Sequence, residues 1–358
     1  MGKVSFGIIG YGWRARFFLK VAEELNDYFE VGVVVTSDRT KAEMLKETRN
    51  IEAISDFSDL KDFKDKVDFL VLCLPSDIMP DVVKKATDMG FYVLAETFAL
   101  KNVEALSDYY RSIKNPDLIQ VAEQYWLRPM NQARLDIISK GLIGDVTQAQ
   151  VSIGHGYHGI SLLRKYLNIR YEKCKIKAWS FKNDIISGPG RGGYPDSEEV
   201  IKDCQEVALF EFGNKWGIYD FTGEQYFSRI RDCRILLRGE RGEIDNSYIR
   251  YLKDFRTPIQ LPFERFDSGK DGSMGGPVLE SVSVGDEQAY ENPYNMARLS
   301  DDELAVAHAL EKMGSYVKTG HSFYSFGEGC QDQYLDILMK ESMRTGKTVK
   351  SKPQIWQK

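Results

Sequence analysis

Apolar residues in the first third of the chain follow two alternating patterns. Short apolar or β-branched runs at 4–9, 29–35, 51–54, 67–74, 92–95 and 118–122 predict strands. Between them, segments with apolar positions every three or four residues, at 15–25, 39–47, 80–89 and 103–113, predict helices. Strands that alternate with helices imply a parallel sheet covered by crossover helices. The run Phe69-Leu70-Val71-Leu72-Cys73-Leu74 is apolar at every position, as a central parallel strand is when both of its faces are covered.

From about residue 127 the rhythm changes. A helix at 131–140 closed by Gly141, a strand beginning near Val146 and a helix at 160–167 lead into strands at 175–181, 207–212, 216–221, 233–238 and 249–252. The last clear helix is at 331–345. Strands in succession imply an antiparallel or mixed sheet. The expected organisation is therefore α/β in two domains, residues 1–123 and 124–358, with the final helix packing back. Two glycine-rich stretches, 186–195 and 266–277, read either as solvated connections or as a mobile lid or dimer-contact loop.

The chemistry begins where the first strand meets the first helix. Gly10-Tyr11-Gly12-Trp13-Arg14-Ala15 fits the spacing G-x-G-x-x-G/A. Gly10 permits a tight turn, Gly12 leaves room for a pyrophosphate to approach the backbone, and the small Ala15 lets helix pack on strand. The helix N-terminus adds unpaired N–H groups and positive dipole, with Trp13 and Arg14 beside them. This context identifies a dinucleotide site and a first domain of Rossmann type. After the second strand, Ser37, Asp38 and Arg39 reach the adenosine ribose. A carboxylate there suits the 2′-hydroxyl of NAD, whereas a hydroxyl beside an arginine admits NADP. NAD is the expected cofactor and NADP the alternative, and Asp38 equally fits an ordinary helix cap. Leu74 and Pro75 end the fourth strand at the carboxyl edge where ligands bind, although Pro75 also serves simply to stop the strand.

Composition narrows the partners. Net charge is −5, from 48 basic and 53 acidic residues, mixed along the chain, so no basic face is set apart for nucleic acid. No run approaches the roughly 20 apolar residues that cross a bilayer, and a cytoplasmic location without membrane contact is expected. The five cysteines, Cys73, Cys174, Cys204, Cys233 and Cys330, are scattered without a C-x-x-C pair or a histidine at ligand spacing. Free structural thiols and no metal site are expected.

Several stretches in order along nearly the whole chain resemble the glucose-fructose oxidoreductase, inositol dehydrogenase and rhizopine-catabolism (Gfo/Idh/MocA) family. They are the opening GIIGYGWRA, Cys73-Leu74-Pro75-Ser76, Gly90-Phe91-Tyr92-Val93-Leu94-Ala95-Glu96, Val121-Ala122, Gly141-Leu142-Ile143-Gly144-Asp145-Val146, and Glu341-Ser342-Met343-Arg344-Thr345-Gly346-Lys347. The resemblance implies a second domain with an open, mostly antiparallel sheet that binds substrate and makes oligomer contacts, in a homodimer or larger assembly. It also implies a polyol, sugar or glycoside substrate, hydride transfer to nicotinamide, and a lysine and a histidine assisting proton transfer. The chain departs from the family at two motifs. Glu96-Thr97-Phe98 stands where Glu-Lys-Pro is expected, and His158-Gly159-Ile160-Ser161 keeps the histidine of His-x-x-Asp without the aspartate. Thr97 cannot act as an acid or base near neutrality. Glu96, by resemblance, contacts the nicotinamide ribose or braces its loop, beside Thr97 and, on the next strand end, Gln124.

Alcohol oxidation needs a proton acceptor beside the hydroxyl, and histidine suits it. Of the four histidines, His308 sits in an apolar helical stretch and His321 follows a turn glycine, whereas Gly154-His155-Gly156-Tyr157-His158-Gly159 has no apolar periodicity to explain its rings. His158 is the candidate general acid/base, with His155 and Tyr157 lining the substrate pocket. Tyr125 and Tyr157 are candidate relays, provided that nearby cations or the nicotinamide lower their phenol pKa. Lys101 reads as a solvated lysine. Tyr219, Phe221, Tyr226 and Phe227 suit either sugar stacking or ordinary sheet packing. The expected function is NAD(P)-dependent oxidation of a secondary hydroxyl of a sugar or glycoside to a ketone, one specific form being C3 of a pyranoside. A glycosidase that retains NAD and oxidises transiently, and a non-catalytic dinucleotide and sugar sensor, are the alternatives.

Overall fold

The computed structural model describes residues 2–269, 276–294 and 297–357. Its first sheet has six parallel strands: β1 (Val4–Ile9), β2 (Phe29–Val35), β3 (Ala53–Ile54), β4 (Phe69–Leu72), β5 (Val93–Ala95) and β6 (Ile119–Val121), in the order β3-β2-β1-β4-β5-β6. Helices α1 (Ala15–Glu24), α2 (Arg39–Arg49), α3 (Met79–Asp88) and α4 (Val103–Ser112) make the crossovers. The order reverses between β1 and β4, so the carboxyl ends of those strands frame the crevice in which such sheets bind ligands. All four residues of β4 are fully buried.

The second half contains α5 (Pro129–Ser139), β7 (Val146–Ser152), α6 (Tyr157–Leu167), β8 (Lys175–Ile186), β9 (Val200–Phe212), β10 (Lys215–Phe221), β11 (Arg234–Gly239), β12 (Gly242–Asp245), β13 (Tyr248–Leu252), β14 (Pro258–Ser268), β15 (Val278–Val284) and β16 (Glu287–Glu291). These strands, with β17 (Val349–Lys350), form an eleven-stranded sheet in which the described pairings are antiparallel except β7 with β10. Helix α6 packs on β7 and β10, covering one face of the sheet.

Two helices close the chain, α7 (Asp301–Thr319) and α8 (Phe326–Thr345). Helix α7 lies against α1, with Gly314 touching Val4, so the end of the chain covers the first sheet as well. Sequence patterning read a helical stretch around His308 but gave α7 no bounds, because residues 303–310 are all buried and leave no polar face within that run to mark a helical period. Its capping box, Ser300 with Glu303, was the available signal. Strands β14 to β16 were missed for another reason. Exposed charged residues interrupt them on the open face, so the apolar run is short.

The glycine-rich 186–195 segment is more than a solvated connection. It joins β8 to β9 and carries Arg191 back over the glycine turn, 4.1 Å from the Trp13 ring centre. Residues 270–275 of the other glycine-rich stretch, at 266–277, lie outside the described residues. No described helix is long and apolar enough to cross a membrane. All five cysteines are free, and the described residues include no cluster of metal-ligating groups.

Candidate active site

The turn between β1 and α1 has the backbone needed to admit a dinucleotide. Gly10 has φ +96°, and a Cβ there would run into the Cys73 carbonyl. At Gly12 a Cβ would meet nothing within 4 Å, so the space above the turn is open. Arg14 precedes α1 without a side-chain cap, leaving the first N–H groups of the helix for a ligand. Ala15 is completely buried against the sheet. Asp38 caps α2 through the Lys41 N–H at 3.2 Å, as the capping alternative predicted, while its side chain stays partly exposed at the end of β2 beside the exposed Ser37 and Arg39. Leu74 packs against the Gly10 turn, and the Pro75 carbonyl accepts from the N–H groups that start α3.

From this turn a cavity of about 370 Å³ runs toward the second sheet. It gathers Trp13, Arg14, Glu96, Gln124, Tyr125, His155 and His158 from the expected residues. Arg14 Nε donates to Glu96 Oε1 at 2.6 Å. The buried Arg14 Nη2 and Gln124 Oε1 have no hydrogen-bond partner, which leaves a donor and an acceptor at the cavity for a polar ligand. The cavity also contains Arg128, Arg191 and Asp302, which sequence reasoning did not place in the site, and the aromatics Phe221, Tyr226 and Phe227, for which it left sugar stacking and sheet packing open.

At its base, His158 Nδ1 lies 2.6 Å from Glu123 Oε2. Glu123 follows β6 and His158 lies in the first turn of α6, so the two meet across the junction between the sheets. Both are buried, with side-chain exposures of 10% for His158 and 2% for Glu123. Burial lifts the Glu123 carboxyl to about 8 and lowers the His158 imidazole to about 3, because each loses hydration of its charged form. The other Glu123 oxygen accepts from the Tyr125 N–H at 3.1 Å. No hydrogen bond to His158 Nε2 is formed among the described residues. When Glu123 is ionised and holds the Nδ1 proton, Nε2 therefore presents a lone pair to the cavity.

His155 is held differently. Its Nδ1 is 2.6 Å from the Tyr226 hydroxyl and its Nε2 is 3.4 Å from the Tyr157 hydroxyl. Tyr157 bonds in turn with Thr97 Oγ1 at 3.3 Å, which places Thr97 under the cavity rather than in it. The protein's own cations do not by themselves meet the condition for Tyr125 or Tyr157 to act as relay. Burial raises both phenols, Tyr157 to about 12, despite the Arg128 guanidinium 4.2 Å from the Tyr125 ring centre. Tyr219 packs beneath the cavity and accepts from the Gly156 N–H at 2.8 Å, whereas Phe221, Tyr226 and Phe227 supply an aromatic wall. His308 bonds to Tyr290 at 2.9 Å inside the protein, and His321 and Lys101 are exposed away from the cavity.

Residues 4–121 match the model of the oxidoreductase family with an NAD-binding Rossmann fold. That model is the Gfo/Idh/MocA one, and its match covers the first domain. The oxidoreductase match thus rests on the first third of the chain, which carries the glycine turn. No curated protein matches the chain. Among solved structures it is similar to levoglucosan dehydrogenase in complex with NADH (14% identity, TM-score 0.68, covering 99% of this chain and 100% of that one). It is also similar to a myo-inositol dehydrogenase from Corynebacterium glutamicum (14%, 0.60, 98% and 99%). An oxidoreductase from Agrobacterium radiobacter, solved with NAD+, L-tartaric acid and magnesium, gives 14%, 0.65, 97% and 98%. At these identities the likeness is one of fold, and it covers both sheets.

Proposed function

We propose that the protein oxidises a secondary hydroxyl of a sugar or glycoside to a ketone with NAD, using His158 as the proton acceptor and Glu123 as the group that orients and tunes it. The observation that carries this reading is the buried Glu123 and His158 pair at the foot of a cavity that begins at the glycine turn. NAD bound at the turn supplies the hydride acceptor. Gly10, Gly12, Ala15 and the α1 N-terminus hold its pyrophosphate, and Asp38 suits its ribose hydroxyls. Arg14, Glu96 and Gln124 present polar groups at the inner end.

The substrate hydroxyl meets His158 Nε2 under the wall of Phe221, Tyr226 and Phe227, which suits the apolar face of a pyranose ring. As hydride leaves carbon, His158 takes the hydroxyl proton and Glu123 offsets the positive charge that develops on the imidazole. The dyad thereby does the work that the absent lysine at position 97 does in the family pattern. Tyr157 and His155 position substrate and the His158 ring. The fold relatives named for levoglucosan and myo-inositol support a carbohydrate or polyol substrate.

Purified protein incubated with NAD and a panel of pyranosides, free sugars and polyols should reduce the nicotinamide and yield a keto product. Absence of both across the panel, with NAD shown to bind, would sink the proposal. Aglycone release without net cofactor reduction would instead point to a glycosidase that retains its cofactor.

A further inference from the structure

A second, much smaller cavity lies behind the dyad. It has a volume of about 10 Å³ and is lined by Thr97, Glu123, Tyr157 and Asp332 among others. That volume is about what one water needs, and the four side chains bring the two to four polar partners that make an internal water favourable. Asp332 is buried in α8, bonded to the Arg164 guanidinium and to the Tyr324 hydroxyl. Arg164 and Tyr324 in turn line a third cavity of about 150 Å³ on the far side, with Ser161, Lys165 and Glu328. A line of polar groups therefore runs from the base of the active site, through α8, to a different cavity.

We propose that the proton taken up at His158 leaves by this back route, from Glu123 across one internal water to Asp332 and out through the third cavity. The inference rests on the proposed function for its direction of flow. The hydride carries two electrons and one hydrogen to the cofactor, and the alcohol proton remains to be released. It binds His158 Nε2 while the Nδ1 proton passes to the Glu123 carboxylate. Glu123 hands a proton to the water, the water hands one to Asp332, and Asp332 releases it past Tyr324. Atoms and charge balance, and no further reactant is required. The route releases the proton on the side of the molecule away from the cavity that takes cofactor and substrate.

The charged and titratable groups facing Glu123 are His158, Tyr125, Tyr157, Tyr226, Tyr324, Glu96, Arg14, Arg128 and Asp332, and those facing Asp332 are Arg164, Tyr324, Lys165, Cys330 and Glu123. Burial lifts the Asp332 carboxyl to about 6, against the pull of Arg164 and Tyr324 and with a lesser push from Glu123, so the two carboxyls accept protons in separate pH ranges.

Infrared titration of the cofactor-free protein tests the connection without requiring turnover. Two protonated-carboxyl C=O bands are expected, one lost in Glu123→Gln and the other in Asp332→Asn. If one water joins them, each substitution also moves the frequency of the surviving band, because its hydrogen bonding changes. A surviving band at unchanged frequency in both variants would overturn the proposal. Tyr324→Phe keeps both carboxyls and covers the case in which Asp332→Asn does not fold: the Asp332 band should move, and no movement would count against the exit. With an active substrate, Tyr324→Phe and Asp332→Asn should lower kcat about tenfold or more, with a larger solvent deuterium isotope effect and unchanged KM. Loss of kcat with the isotope effect unchanged would mean a purely structural role. If the wild-type protein proves to have no dehydrogenase activity, the proposed function fails while the infrared result still decides the connection.

Discussion

His155 and His158 are three residues apart at the head of α6, yet their surroundings make them different chemical objects. His158 is buried and held by a carboxylate, with its second nitrogen free toward the cavity. His155 is exposed, and both of its nitrogens lie against phenol hydroxyls. Loss of hydration lowers the imidazoles, His158 to about 3 in the interior and His155 to about 4 where its ring lies against Tyr226 and Tyr157. Only His158 has a carboxylate at hydrogen-bond distance, and the charge that it acquires in taking a proton is offset there. The lesson is that an imidazole's own pKa does not mark it as a base. What matters is whether a partner is placed to receive the charge at the moment of transfer.

This contrast predicts unequal losses. His158→Asn should lower kcat by roughly 10²–10⁴-fold, the usual contribution of a general acid or base, with NAD affinity unchanged. Steady-state kinetics and a separate cofactor titration would show it. Turnover within a few fold of wild type would remove His158 from the chemistry. Glu123→Gln keeps the shape but not the charge, and should cost about 10²-fold in kcat. His155→Asn should be milder, about tenfold or less and mostly in KM, since it removes a positioning contact. A larger loss at His155 than at His158 would reverse the assignment.

A stability measurement sharpens the same comparison. The folded protein holds the Glu123 proton up to about 8, whereas an unfolded chain releases it near 4.5. Across that window the folded state binds more protons, so the contribution of this group to stability is lost as pH rises. Glu123→Gln should therefore gain in melting temperature relative to wild type between about pH 4 and about pH 9, values that bracket the range from about 4.5 to about 8. A constant difference would mean that Glu123 is not raised. The smallest expected effect is at Tyr226→Phe, which removes one hydroxyl contact to His155 and should change KM about fivefold or less.

Parts of the site differ in how far sequence reveals them, and the reason is distance along the chain. Gly10, Gly12 and Ala15 were legible because a turn, a close approach and a helix contact are all specified within six residues. The parallel sheet was legible from local periodicity, and the histidine pair from the glycines framing it. Glu123 was not, because it is 35 residues from His158 and has meaning only once β6 and α6 meet. A carboxylate just past the last parallel strand was the available hint. Arg191 was hidden for a similar reason, since the glycine-rich loop that carries it must cross from one sheet to the other. The missing lysine was visible at Thr97, but nothing in the sequence showed that the Tyr157 hydroxyl would lie 3.3 Å from it.

The central claim is that the Glu123 and His158 dyad, and not either residue alone, accepts the substrate proton. Its most direct test is the pH dependence of kcat/KM for oxidation of the best glycoside in the panel, in wild type and in Glu123→Gln. The acceptor form of the dyad is the one that has lost its proton, so the account predicts a wild-type rate that rises with pH through about 8. In Glu123→Gln that rise should disappear from the range. The same rise at the same pH in both proteins would contradict the account.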